Sequence, residues 1–137
     1  MADLAITAAT VESGGSGAEI SHGIAGETMT AGQAVYLDSA TQRFKKARAN
    51  AGTTDDVAGI ALHNAEDGQP LAYLTRGPLT INAVAAVGMV YVLSAAAGGG
   101  IAPHGDLVTG NYVSSLGIAP AAGTLQIQIQ VSGVQKA

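Results

Sequence analysis

Leu125-Gln126-Ile127-Gln128-Ile129-Gln130-Val131 is the stretch whose reading decides the fold. Apolar and amide side chains alternate through it without a break. Successive side chains of an extended chain leave on opposite faces. The stretch is therefore a strand with one apolar face (Leu125, Ile127, Ile129, Val131) and one neutral polar face. A helix would need apolar residues three and four apart. An exposed strand is commonly guarded by Lys or Glu. Gln126, Gln128 and Gln130 in their place read either as ordinary polar surface or as a face that meets protein. They are candidate partner-binding residues.

Working outward, strand signals recur at regular spacing. They cover residues 4–7, 19–24, 34–38, 43–47, 57–62, 70–75, 79–81, 89–93 and 112–118. Turn residues separate them at 38–41, 50–56, 66–68, 76–78, 95–100 and 119–123, where Gly and Pro supply the backbone conformations a reversal needs. No segment of ten or more residues keeps a helical period free of Gly or Pro, and residues 82–87 are long enough only for a turn. The expected fold is all-β: a small single-domain β-barrel or β-sandwich with few or no helices.

Two stretches resemble each other. Ala31-Gly32-Gln33-Ala34-Val35-Tyr36-Leu37-Asp38 runs beside Val87-Gly88-Met89-Val90-Tyr91-Val92-Leu93-Ser94, and Gly59-Ile60-Ala61 runs beside Gly117-Ile118-Ala119. Each copy continues into a turn and an apolar strand. The shared order predicts an internal duplication, with halves at about 18–75 and 76–131 that bury their apolar faces on each other. Residues 1–17 precede these halves. Gly14, Gly15 and Gly17 make the 10–17 stretch loop-like, and the segment is expected to be a flexible arm or to pair with the domain.

Composition narrows the function. The chain has 137 residues, a formal net charge of −4, 12% charged and 4% aromatic residues, 19 Gly and no Cys. Without Cys there is no disulfide, thiolate metal site or thiol nucleophile, which fits assembly in a reducing cytoplasm. No apolar run reaches the roughly 20 residues that span a bilayer, so no membrane partner is expected. Met1 to Ala9 carries Asp3 and no basic residue, unlike a signal peptide. The negative charge argues against a nucleic-acid partner, which would call for Lys and Arg. Globular domains usually carry about 25% charged residues. A surface this poor in charge reads either as compositional bias or as one covered by other subunits.

No constellation points to catalysis. His22, His63 and His104 have no partner at metal-ligand spacing, although three copies of one histidine could meet on a trimer axis. Glu66 and Asp67, near His63, sit in a turn. Ser13 and Ser16 lie in a Gly-rich loop without a nucleophile elbow. Gly14-Gly15-Ser16-Gly17 and Gly98-Gly99-Gly100 lack the lysine and helix of a phosphate loop. Asp55-Asp56 reads as a solvated turn. The expectation is no enzyme, no catalytic residue, no metal and no cofactor. One charge feature remains. Arg43, Lys45, Lys46 and Arg48 are four of the six basic residues, in Arg-Phe-Lys-Lys-Ala-Arg. They read either as a solvated hairpin or as a positive, partner-binding patch, with Phe44 pointing inward.

Thr30-Ala31-Gly32-Gln33-Ala34-Val35-Tyr36-Leu37-Asp38, the basic strand ending Lys45-Lys46-Ala47, and Val57-Ala58-Gly59-Ile60-Ala61-Leu62 resemble the capsid cement, or head decoration, proteins of tailed bacteriophages. So do Gly88-Met89-Val90-Tyr91-Val92-Leu93-Ser94, Gly99-Gly100-Ile101, Leu116-Gly117-Ile118-Ala119 and the closing strand. The resemblance spans about residues 6–131. It implies a β-rich structural protein on the exterior of the virion capsid, bound to the major capsid protein and stabilising contacts between capsomers, often as a homotrimer. It brings no catalytic residues. The alternative is a phage tail or host-surface adhesion module binding carbohydrate, whose aromatic platform would have to come from Tyr36, Phe44, Tyr73, Tyr91 and Tyr112. A β-fold nucleotide hydrolase would need clustered carboxylates on strands, and the acids here lie mostly in turns. The strand reading carries its own test. Ile127→Asp puts an unpaired carboxylate on the apolar face and is expected to abolish folding, read as loss of the far-ultraviolet circular dichroism of the native protein.

Overall fold

The alternating stretch lies within the longest strand of the protein. In the computed structural model, which describes residues 12–13, 18–50, 56–81, 87–95, 98–121 and 123–136, it belongs to β10. The strands are β1 (Glu12–Ser13), β2 (Glu19–Ile24), β3 (Ala34–Asp38), β4 (Arg43–Lys46), β5 (Val57–Ala61), β6 (Pro70–Thr80), β7 (Val90–Leu93), β8 (Ile101–Pro103), β9 (Tyr112–Ala121) and β10 (Thr124–Gln135). The described residues contain no α-helix, and a single 3-10 turn covers His104–Asp106. Leu125 and Ile127 are fully buried while Gln126, Gln128 and Gln130 are exposed, as the period of two requires. The fold is a small all-β domain.

Two expectations are adjusted. Residues 70–75 and 79–81 are not two strands divided by a turn at 76–78. β6 runs through Arg76, Gly77 and Pro78, with Gln128, Ile127 and Gln126 of β10 paired opposite them. The Gly-Pro signal is real but local. Gly77 takes φ 117°, and Thr75 is passed over where β2 pairing steps from Arg76 to Leu74. A bulge of this kind kinks a strand without ending it. Second, Ile101–Pro103 forms a strand where none was expected. Three residues are too few to show a period, and the pairing with Tyr91–Leu93 supplies the ladder. Within residues 1–17, expected either to reach out as an arm or to pair with the domain, Glu12 and Ser13 pair with Thr80 and Leu79 of β6. The expected strand at 4–7, the serine-glycine loop at 14–17, Asp55 and residues 82–86 lie outside the described residues.

The strands form one antiparallel sheet in the order β4-β3-β5-β6-β10-β9-β7-β8, with β1 and β2 on the remaining edge of β6. This order reads the same from both ends once β3, β4, β5 and β6 are matched to β7, β8, β9 and β10. The halves therefore repeat in structure, and their seam falls after Thr80 because β6 continues past residue 75. Finer details repeat as well. Val35 pairs with Gly59 and Tyr36 with Val57 across a bulge; Tyr91 pairs with Gly117 and Val92 with Ser115 across the same bulge. Gly32 and Gly88 take φ 89° and 83°, and each donates its N–H over 2.8 Å, to the carbonyls of Ala61 and Ala119. Both backbones occupy the left-handed region, where glycine has no side-chain penalty.

Pairing along β6 curls the sheet. Leu74 has Ile60 on one side and Ile20 on the other; Arg76 has Gln128 on one side and Glu19 on the other. β5 and β10 thus follow one another along the same edge of β6, and the two arms of the sheet diverge from it. The main core fills the space between them, with Ile60, Leu74 and Leu79 from one half meeting Tyr91, Leu93, Leu116, Leu125 and Ile127 from the other. Each such side chain contributes about 1.5–3 kcal/mol on burial. A smaller core of Ala25, Met29, Val35, Phe44, Ala61, Ala65, Leu71 and Tyr73 lies on the other face of the first half. The bridge from Ala25 to Phe44 ties the end of β2 to β4 around it.

The two halves turn opposite faces to the main core. Ala34, Val57, Ile60 and Leu74 face it from the first half. Their counterparts, Val90, Ser115, Ile118 and Gln126, line the outer surface of the second. Conversely, Val35 and Ala61 serve the smaller core, whereas their counterparts Tyr91 and Ala119 serve the main one.

The bulge glycines give a test. A Cβ on Gly59 would lie 2.6 Å from the Leu74 carbonyl oxygen and 2.6 Å from Tyr73 Cδ2; one on Gly117 would run into the carbonyl oxygen of Gln126. These neighbours are largely backbone and cannot swing aside. Gly117→Ala is expected to cost about 1–3 kcal/mol, read as a lower urea midpoint. Gly105→Ala, where a Cβ would meet nothing within 4 Å, serves as the control and should stay near the wild-type midpoint.

Candidate functional site

Two groups of residues were singled out by sequence, and the fold places them on different strands: the basic residues on and after β4, the glutamines on β10. Phe44 is buried and anchors β4, its ring centroid 4.6 Å from that of Tyr73. Its neighbours Arg43 and Lys45 point away from this core, as alternation dictates.

Three of the four cations have partners, and the Lys46 ammonium has none among the described residues. Arg43 Nη1 lies 3.1 Å from Asp67 Oδ1, and Lys45 Nζ lies 3.0 Å from Asp38 Oδ2. Arg48 Nε donates to the Ala95 carbonyl over 2.9 Å. The Lys46 backbone N–H donates to Glu27 Oε2 over 2.8 Å, which brings a third carboxylate to the strand. The hydrogen bond from Lys45 holds the Asp38 carboxyl below its ordinary value, helped by the Ala40 backbone N–H at 3.1 Å; the same bond raises Lys45. Long-range pairings such as Arg43–Asp67 are invisible in a sequence window. They convert an apparent basic cluster into a nearly balanced one.

The glutamines lie along an open groove of about 250 Å³ on the outer face of β7, β9 and β10. Val90, Gly117 and Ile118 contribute the apolar part of its lining, with Ile118 half exposed; Ser115, Gln126, Gln128 and Gln130 contribute the polar part. Among the described residues, no ionisable side chain lines it. The three amides have no hydrogen-bond partner among the described residues. Sequence reading found the glutamines and missed Val90, Ser115 and Ile118. The repeat carried the signal: core positions Val57 and Leu74 become Ser115 and Gln126 in the second copy, marking a face that has changed sides.

A second, shallower hollow of about 460 Å³ is lined by Thr28, Met29, Thr30, Asn64, Ala65, Glu66 and Gln69. Its amides serve the local chain, because Asn64 Oδ1 accepts from the Ala31 N–H and Gln69 Oε1 from the Glu66 N–H. His63 is likewise engaged. Its Nε2 lies 3.0 Å from the Ala72 N–H and must accept from it, which places the ring proton on Nδ1, 2.9 Å from the Asn64 carbonyl oxygen. His22 and His104 are exposed. Among the described residues, no three His, Asp or Glu side chains form a group that could hold a metal ion. None of their helices is long and apolar enough to cross a membrane.

The Asp38–Lys45 pair sets a pH window. A carboxyl whose folded value is depressed contributes stability above its unfolded value of about 3.9, and loses it as pH falls through the folded value. A raised lysine contributes below about 10.4 and loses it as pH rises through its folded value. Asp38→Asn keeps an acceptor for the Ala40 N–H and removes the charge. The variant is expected to melt below wild type at pH 7, with the gap closing as pH falls below about 4; a gap unchanged down to pH 2 would show that the pair is not its source. The chain matches no protein-family model and no curated protein.

Proposed function

We propose that this chain is a structural protein of a tailed-phage virion, bound to the outside of the assembled head and stabilising contacts between capsomers. The observation that carries the reading is where the resembling segments fall. Gly32 to Asp38 and Gly59-Ile60-Ala61 build β3 and β5 of one half, and Gly88 to Ser94 and Gly117-Ile118-Ala119 build β7 and β9 of the other, with the same turns and the same bulge. The resemblance therefore follows the repeated framework of the fold rather than scattered glycines and alanines. Of the aromatic residues that the carbohydrate reading would use, Phe44, Tyr73 and Tyr91 are buried, while Tyr36 and Tyr112 are half-buried.

The physics of such a role is simple. A protein that binds the assembled lattice and not free coat protein stabilises the lattice by mass action, by about 2.7 kcal/mol per site at a hundredfold excess over Kd. A homotrimer seated at a symmetric junction would engage several major capsid protein subunits at once, and avidity would make up for modest individual contacts. Neither nucleic acid nor a membrane enters this reading. Electron microscopy of virions, with and without the gene, tests it. The expected result is external density at capsomer junctions that disappears in the deletion, together with heads that lose their contents at lower temperature. Density confined to the tail, or none on the particle, would sink the proposal.

A further inference from the structure

We infer that the groove on β7, β9 and β10, and not the basic strand β4, is the surface that grips the head, and that its occupant is an uncharged segment of the coat lattice. The inference rests on the head-binding reading and names the contact within it.

Three observations support it. The groove is the second-half counterpart of a face that the first half buries completely: Ala34 and Ile60 are 0% exposed, whereas Ile118, at the position of Ile60, is 50% exposed. No described residue covers it. Its lining among the described residues is neutral, with three amides, one hydroxyl and the side chains of Val90 and Ile118; beside it, Arg76 of β6 stands opposite Gln128 and has Glu19 on its other side. A charged segment laid along that lining would lose its hydration with no counter-charge among the lining residues, so complementarity selects an uncharged partner. The ladder between β10 and β9 shifts register between Ile127 and Gln130, so the three amides are not evenly spaced. Each glutamine amide both donates and accepts, so together they can serve the peptide groups of a bound segment while an apolar side chain of that segment settles against Val90 and Ile118. The basic strand lacks these properties, because Asp67 and Asp38 already take up Arg43 and Lys45.

The test uses the full chain and purified heads from phage lacking its gene, with co-sedimentation read at 50 mM and 500 mM salt. Ile118→Asp and Gln126→Glu each place a carboxylate in the groove at an exposed position, so folding should persist, with unchanged circular dichroism and melting as the check. Both are expected to weaken head binding by at least about tenfold. Gln126→Asn, which keeps the amide, should stay within about threefold of wild type. Wild-type binding should change little between the two salt concentrations, since no charge pair carries it. The double variant Lys45→Glu, Lys46→Glu should bind like wild type. Groove variants that bind normally, or binding that collapses with salt or with the lysine changes alone, would overturn the inference and leave the head-binding reading standing. Wild-type protein that fails to bind heads would overturn both.

Discussion

The pairing of β6 with β10 is the constraint on which the rest of the structure depends. Leu79 stands opposite Leu125 and Gly77 opposite Ile127 along this ladder, and among the described residues it is the only strand pairing that joins the two halves. Neither half could bury its apolar residues alone. β3 and β5 offer Ala34, Val57 and Ile60 to the main core, while the bulk that fills it, Tyr91, Leu93, Leu116, Leu125 and Ile127, comes from across the seam. Shorter contacts reinforce the join. The Ala34 N–H donates to the Gly99 carbonyl, the Gly99 N–H to the Ala47 carbonyl, and the Ala49 N–H to the Ser94 carbonyl. The glycine-rich turn between β7 and β8 is thereby sewn onto the first half. This explains how a chain so rich in Ala and Gly forms one domain without Trp or Cys: two modest faces make one adequate core.

The same constraint creates the asymmetry between the halves. Once β5 and β10 share an edge of β6, one half meets the core with one face and its copy with the other. Each half then has a second face to resolve. The first half solves this with added chain. β2 and the stretch to Gln33 fold back, Met29 and Ala65 bridge, and Phe44 and Tyr73 pack beneath them. In the second half the corresponding face keeps Val90 and Ile118, gains Ser115 and Gln126, and stays open as a groove. Polar substitution has made that face soluble without giving it charge.

Much of this was legible in the sequence, where a local pattern fixes the outcome. The alternation at Leu125 to Val131 specifies a strand and its inward face because the side-chain period is two. The repeat was legible because Gly32, Gly59, Gly88 and Gly117 fill backbone positions that tolerate no side chain or favour a positive φ, and such positions stand out as identities. What escaped depended on contacts far apart in the chain. Gly77-Pro78 carries the dipeptide of a turn, yet pairing on both sides holds β6 extended through it. The four cations from Arg43 to Arg48 look like a patch until Asp67 is brought to Arg43 from 24 positions away. Nothing in a window around Ile118 says that it faces outward while its counterpart Ile60 faces inward. Only the order of strands in the sheet decides that.

These points bear on how a surface so poor in charge could recognise anything. Charge guides long-range encounter and rejects wrong partners, and here the positive charges of β4 are largely spent within the molecule on Asp38 and Asp67. Recognition must then rest on shape, on amide hydrogen bonds and on apolar contact, which act only at short range. Such contacts are individually weak, since each hydrogen bond exchanged with water nets only about 0.5–1.5 kcal/mol. They become effective when several are made at once on a partner that is already ordered, so that little entropy is lost in fitting them. On the proposed head-binding reading, a β-sheet face lined with amides suits a lattice that is itself fixed and repetitive. It would discriminate poorly among mobile, unassembled subunits by attraction alone, and well between an ordered lattice and its loose components.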